Sequence, residues 1–195
     1  MSETWDRLTS NWVYGGFLAG LLFLVILPTF TQGLSSQEFL SLLVLPIYML
    51  HQFEEHNGDR FRTFFNETIG KGLPVLSKTA VFIINIAGVW LVLAIAYLAM
   101  RYLSPGWGII AIYLISINSA AHIVPAVIER RYNPGLITAC LMFVPLSFYY
   151  SWTQDQISLI QNIIGFLIAF GIHAAIMIYA RMRYSKLSRG IASSN

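Results

Sequence analysis

Cysteine is almost missing from this chain: Cys140 stands alone among 195 residues. One thiol excludes an intrachain disulfide and any cysteine-rich metal cluster. Charge is scarce as well, at 11% of residues, against about 25% in ordinary globular domains. No Gly-rich phosphate loop, internal repeat or polar stretch long enough for a soluble domain is visible. The N-terminal Met-Ser-Glu-Thr-Trp-Asp has neither a basic region nor a cleavage site, so no removable signal peptide is expected. What fills the chain is apolar: 56% of residues are hydrophobic.

Crossing a bilayer as a helix takes about 20 apolar residues. Six stretches meet or approach that length: Trp12–Phe30, Phe39–Phe53, Ala80–Met100, Gly106–Ile128, Leu136–Trp152 and Ile157–Tyr179. The fold class expected is therefore all-α, a six-helix polytopic membrane bundle forming one domain over residues 1–195. The second stretch is short and contains Pro46, which removes a backbone hydrogen bond. Charge parity supports it nonetheless. With six crossings, one side receives Arg7, Arg60, Arg62, Lys71, Lys78, Arg130, Arg131, Arg181, Arg183, Lys186 and Arg189, and the other only Arg101. Cytoplasmic loops collect Lys and Arg, so both termini are expected in the cytoplasm.

The net charge of +3 thus reads as topology and not as nucleic-acid binding. The expected surroundings are lipid, in the cytoplasmic membrane of a prokaryote or in an endomembrane. Phe61, Phe64, Phe65 and Ile69 recur at helical spacing, which fits either a short interfacial helix near residues 60–70 or a loop with apolar anchors. Residues 185–195, basic and rich in small side chains, are expected to be a disordered tail.

Ionisable residues at membrane depth are costly and usually face a bundle interior or a watery cavity. Here His51, Glu54, Glu55, His56, His122 and His173 lie in or at the ends of the apolar stretches. His122 and His173 each precede the cytoplasmic end of their helix by six residues, roughly 9 Å at the helical rise. Asn85 and Thr138 fall at similar depth, so polar groups from five helices share one layer. His51, Glu54 and Glu55 share a helix face, as do Asn118 and His122, whereas His56, five residues after His51, is expected to point elsewhere.

Imidazole and carboxylate are the usual ligands of zinc and of non-haem iron. The residues expected to hold a divalent metal are His51, Glu55, His122 and His173, with zinc favoured and iron the alternative. Glu54 is the candidate general base on a metal-bound water. Asn118, Thr138, Asn85 and Tyr132 are candidates to support the ligands or touch substrate. Each has a plainer reading too: Tyr132 as an interface anchor, and Asn85 and Asn118 as makers of interhelical hydrogen bonds. A dinuclear site is the rival, although only two carboxylates lie in this layer.

The spacing carries a resemblance. His51-Gln52-Phe53-Glu54-Glu55 has the form H-x-x-E-E, Asn118 to His122 the form N-x-x-x-H, and Tyr132 to Thr138 the form Y-x-P-G-x-x-T. In this order they resemble the HXXEE-domain family of small multipass membrane proteins, from about Leu50 to Thr138. The resemblance implies no settled activity, so function is read from the chemistry. The expectation is a metal-dependent membrane enzyme, most simply a hydrolase of a lipid or other amphiphile, with iron-based oxidation as the variant. The alternative is a proton- or cation-coupled transporter using the same layer. Against it, Phe39–Leu50 and Ile163–Ile172 offer no acid, base or histidine.

Overall fold

The computed structural model describes residues 2–30, 32–153 and 157–192. All regular structure among them is helical. We number the helices α1 (Glu3–Phe30), α2 (Ser36–His56), α3 (Arg60–Thr68), α4 (Lys78–Tyr102), α5 (Pro105–Glu129), α6 (Leu136–Thr153) and α7 (Leu159–Ala192). Serines start several of them. Ser2, Ser77 and Ser158 accept hydrogen bonds from first-turn amides, and Ser35 forms a reciprocal box with Glu38. Each such cap contributes about 1 kcal/mol and fixes where the helix begins.

Among the described residues five helices, α1, α4, α5, α6 and α7, are long and apolar enough to cross a membrane. α2 is not among them, although the sequence reading counts it as a crossing. Its position explains its polarity. It runs antiparallel to α1, since Phe17 stacks on Phe53 near one end of the pair while Gly20 meets Met49 and Pro46 one turn on. It also packs against α4, α5 and α6, and more than half of its residues are buried. A helix enclosed by other helices needs no lipid-facing apolar surface, so it can carry Gln37 and Glu38 at one end and His51, Gln52 and Glu55 at the other.

Two packed regions hold the bundle. One is centred on Val44, Tyr48, Ile112, Leu114, Ile115 and Phe143. The other joins Trp12 and Val13 of α1 to Phe65, Val75, Leu76, Val81 and Ala180. The second binds the chain termini to the loop around α3. Trp5 packs edge-on to Phe82 with centroids 5.6 Å apart, Lys71 lies over the Tyr184 ring, and Arg131 lies over Phe64. The basic residues near both termini and in these two loops therefore gather at one end of the bundle. Arg101 sits at the other, 3.5 Å from Glu38.

Of the two forms open to residues 60–70, helix or loop, the chain takes the helix over Arg60–Thr68, α3. Asn66 on it closes the following loop: its side chain donates to the Leu76 carbonyl at 3.0 Å and accepts from the Leu76 amide at 2.8 Å. Both bonds are buried, so Asn66→Ala is expected to cost about 2–3 kcal/mol, read as a lowered denaturation midpoint in detergent. The tail differs from expectation. α7 continues to Ala192, so residues 185–192 are helical and not disordered. The rest of the expected tail lies outside the described residues. The sequence read the end of the apolar run as the end of the helix, but Arg181, Met182, Arg183, Lys186 and Leu187 have good helix propensity and continue it.

Helices α4 and α6 each contain a π-helical segment, Ile84–Trp90 and Ala139–Phe143. Such segments recur at functional sites. Here Asn85 stands in the first, and the second follows directly on Thr138.

Candidate metal centre

The last turn of α2 presents Glu55 to three imidazoles. Glu55 Oε2 lies 3.7 Å from His51 Nε2 and 3.1 Å from His56 Nε2, and Oε1 lies 3.6 Å from His122 Nε2. All four side chains are buried. His51, Glu55 and His122 each offer a ligand atom, and these atoms lie within 4.8 Å of one another, a set able to hold a metal ion. The fit is close. Donors about 2.0–2.1 Å from a tetrahedral zinc ion sit about 3.3–3.4 Å from each other, a few tenths of an ångström less than the imidazole–carboxylate separations observed.

The hydrogen bonds behind the rings fix which nitrogen faces the centre. Thr138 Oγ1 donates its single proton to Glu54 Oε2 at 2.5 Å. It must therefore accept at its 2.8 Å contact with His51 Nδ1, which carries the ring proton. His51 Nε2 is left with its lone pair, buried and without a hydrogen-bond partner. On His122 the logic repeats. Asn133 Nδ2 donates to the His122 carbonyl at 2.8 Å, which turns Asn133 Oδ1 toward His122 Nδ1, also at 2.8 Å. That nitrogen is then the donor and Nε2 the free base. Metal-binding histidines are characteristically anchored through the opposite ring nitrogen in this way. Thr138→Val keeps the side-chain shape and removes the hydroxyl. It is expected to weaken metal binding by about 10–100-fold while leaving the fold intact, as read by competition with a chromophoric chelator.

Glu54 does not occupy the place expected of a general base. Its carboxylate accepts from the Thr138 amide at 2.7 Å, the Ile137 amide at 3.1 Å and the Tyr132 hydroxyl at 2.9 Å, besides Thr138 Oγ1. It thus caps the start of α6, where free amides and the helix dipole favour an anion. Neighbouring helix residues point about 100° apart, so Glu55 can face the histidines only if Glu54 faces α6. Tyr132 is held as a donor to Glu54. Burial and that hydrogen bond push its phenol above the ordinary value.

His56 is the reverse case: expected to point away, it lies against Glu55. It is packed between Trp12 and Phe61, each with its ring centroid 5.2 Å from the imidazole. Its backbone, at φ −108° and ψ −9°, departs from ideal helix geometry at the last residue of α2, where five-residue phase arithmetic no longer holds. Asn133 and Gln52 were also missed. Gln52 donates to Asn85 at 2.8 Å and accepts from the Trp90 indole at 2.6 Å, tying α2 to α4. This occupies Asn85, whose own amide donates to the Val81 carbonyl. The H-x-x-E-E and Y-x-P-G-x-x-T segments do contain Gln52 and Asn133, but amides carry no signal of their own in a sequence.

The loop before α6 completes the site. Gly135 adopts φ +98°, and a Cβ there would stand 2.8 Å from His51 Cε1 and 2.7 Å from His122 Cε1. Only glycine lets the backbone lie against both rings.

A cavity of about 390 Å³ opens from Glu55 and His122. Its walls come from α2, α3, α4, α5 and α7, and are chiefly apolar side chains. His173 and Asn118 line it. His173 does not join the three-ligand group. Its Nδ1 donates to the Ala169 carbonyl one turn earlier at 2.8 Å.

These features define a helical bundle of the membrane type with a buried imidazole–carboxylate cluster at one end. The family model described as "Protein of unknown function with HXXEE motif" matches residues 42–150, more than half of the chain. The chain belongs to the HXXEE family. The match takes in His51, Glu54, Glu55, His122, Asn133 and Thr138, and leaves out His173. No curated protein and no solved structure matches.

Proposed function

We propose that the protein is an integral-membrane, metal-dependent hydrolase of an amphiphilic substrate, with His51, Glu55 and His122 as metal ligands. The observation that carries this reading is the pair of imidazoles, each anchored from behind, converging on one carboxylate beside an apolar cavity. Two histidines and a glutamate form a known set of catalytic zinc ligands, with one position left open. A divalent ion there supplies Lewis acidity toward a carbonyl or water oxygen. The walls hold an apolar chain with its polar end at Glu55 and His122. With Glu54 engaged in capping, His173 takes the part of proton acceptor: its Nδ1 carries the ring proton, so Nε2 keeps a lone pair.

In this reading α2 is the sixth crossing, and the end rich in Lys and Arg faces the cytoplasm, with both termini. α3 lies in the interface there. The packing favours an enzyme over a transporter. Val44, Ile112, Leu114, Ile115 and Phe143, all at most 1% exposed, form an apolar layer between the histidine end and the Gln37–Glu38 end, and conduction needs polar groups or alternating access along its path.

The test is element analysis of the purified protein, followed by ester and amide hydrolysis assays on long-chain substrates. About one zinc per chain is expected, with hydrolysis lost on chelation and restored by zinc. Iron in its place would favour the oxidative variant, which uses the same ligand types. Protein that binds neither metal would sink the reading.

A further inference from the structure

We infer that the cavity takes its substrate sideways from the cytoplasmic leaflet, through a mouth between α5, α7 and the end of α3. The substrate class is then a long-chain lipid dissolved in the bilayer, and not an amphiphile delivered from water. This rests on the reading of the cavity as the substrate site and on the proposed topology, and adds where the substrate comes from.

The cavity wall is unevenly exposed. On the side of α2 and α4, Tyr48, Val81 and Val89 are buried. On the other side, Met177 of α7 is 47% exposed and Ile69, just after α3, is 45% exposed. Ala121 and Glu129 of α5 are exposed as well, and all four residues line the cavity. The cavity therefore reaches the surface where these three elements meet.

The side toward water is roofed by α3. Its Phe61, Phe64 and Phe65 line the cavity. Phe61 packs against His56 and Phe65, with ring centroids 5.2 and 5.5 Å away. Phe64 lies under the Arg131 guanidinium, 5.0 Å from the ring centre, which fastens α3 to the end of α5.

The rim of the mouth is apolar. Ala121 and Pro125 share a face of α5 with Val124 and Ile128, both exposed, and Ile178 beside Met177 is exposed too. In the proposed topology these side chains stand among acyl chains. The exposed Glu129–Arg131 pair, and Arg181 one turn beyond Met177, mark the membrane surface. The mouth thus opens on hydrocarbon just beneath the headgroups. A chain that enters there keeps its methylenes out of water throughout.

The experiment uses the whole protein reconstituted in phosphatidylcholine vesicles. Two photoreactive diazirines are compared: a hexadecanol that dissolves in the bilayer, and a short sulfonated probe that stays in water. Adducts are mapped by mass spectrometry. The bilayer probe is expected to label the inner wall at Glu55, His122 or His173, besides the exposed Ile95 and Leu98 of α4. The aqueous probe is expected to leave the inner wall unlabelled. Met177→Trp combined with Ile69→Trp fills the mouth at two half-exposed positions. It is expected to abolish the inner-wall adducts and keep those on Ile95 and Leu98. If the double variant does not fold, the two probes on the wild type decide alone. Inner-wall adducts that persist in the folded double variant overturn the mouth. Inner-wall labelling by the aqueous probe, or none by the bilayer probe, overturns the lateral route. Metal content and hydrolysis are separate readouts on the same preparation. Inner-wall adducts in protein without metal would remove the hydrolase reading and keep this one, and metal with hydrolysis but no such adducts would do the opposite.

Discussion

Protein purified with His51→Ala or His122→Ala is expected to carry almost no metal, where about one ion per chain is expected of the wild type. In the proposed centre each ring contributes one of three protein ligands. Structural zinc sites with four ligands gain about 10–16 kcal/mol, so removing one ligand costs about 3 kcal/mol, a hundredfold or more in affinity. The fold should survive, because alanine at either position leaves a polar hole and not a buried unpaired charge pair. Thr138 or Asn133 loses its imidazole contact but keeps its bond to Glu54 or to the backbone carbonyl of residue 122, and Glu55 loses one neighbour but keeps the others. Element analysis of folded, monodisperse protein checks the result. Full metal content in both variants would remove the centre as drawn. His173→Ala makes the contrast: it should leave metal content unchanged, because that ring stands outside the group of three, yet lower hydrolysis if it accepts the proton.

Gly135→Ala should be more damaging than either histidine change, although it adds only one methyl group. The positive φ costs an L-residue about 1–2 kcal/mol. The new Cβ would also lie 2.7 and 2.8 Å from carbons of two buried rings. Neither imidazole can yield freely, since His51 is bound to Thr138 and His122 to Asn133. A combined penalty of about 2–4 kcal/mol follows, and metal binding should fall with it because relief comes only by moving a ligand. Thermal unfolding in detergent and metal content are the paired measurements. An alanine variant with wild-type stability and full metal would mean that the turn does not press on the rings.

Much of this site was legible before any coordinates, for a definite reason. Charged and imidazole side chains stand out in a lipid-crossing sequence because their burial is so costly. His51, Glu55 and His122 could be joined by depth alone, since helical rise converts residue number into height. Thr138 followed from the same ruler. What rise does not convey is azimuth. Glu54 and Glu55 share a height, yet one caps α6 and the other faces the histidines. His56 required the backbone of a helix end, which no periodicity describes. The place of α2 was also only half visible: charge parity called for a crossing in spite of its short length, while its polarity reflects enclosure by four neighbours. Asn133 and Gln52 differ from ordinary bundle amides only in what they touch.

The enclosure of α2 has a consequence for how the chain is made. A segment with Gln and Glu near one end and His, Gln and two Glu near the other gains little from partitioning into lipid by itself. In the proposed topology it would enter as a hairpin with α1, sheltered by the glycine-lined contact at Gly20, and await the later segments. The ligands of α2 would then meet His122 only after α5 had been synthesised, so the centre could assemble only late in biogenesis. Ribosome-stalled chains ending before α5 and carrying a cysteine introduced into α2, which has none of its own, should accordingly leave that position open to aqueous thiol-labelling reagents.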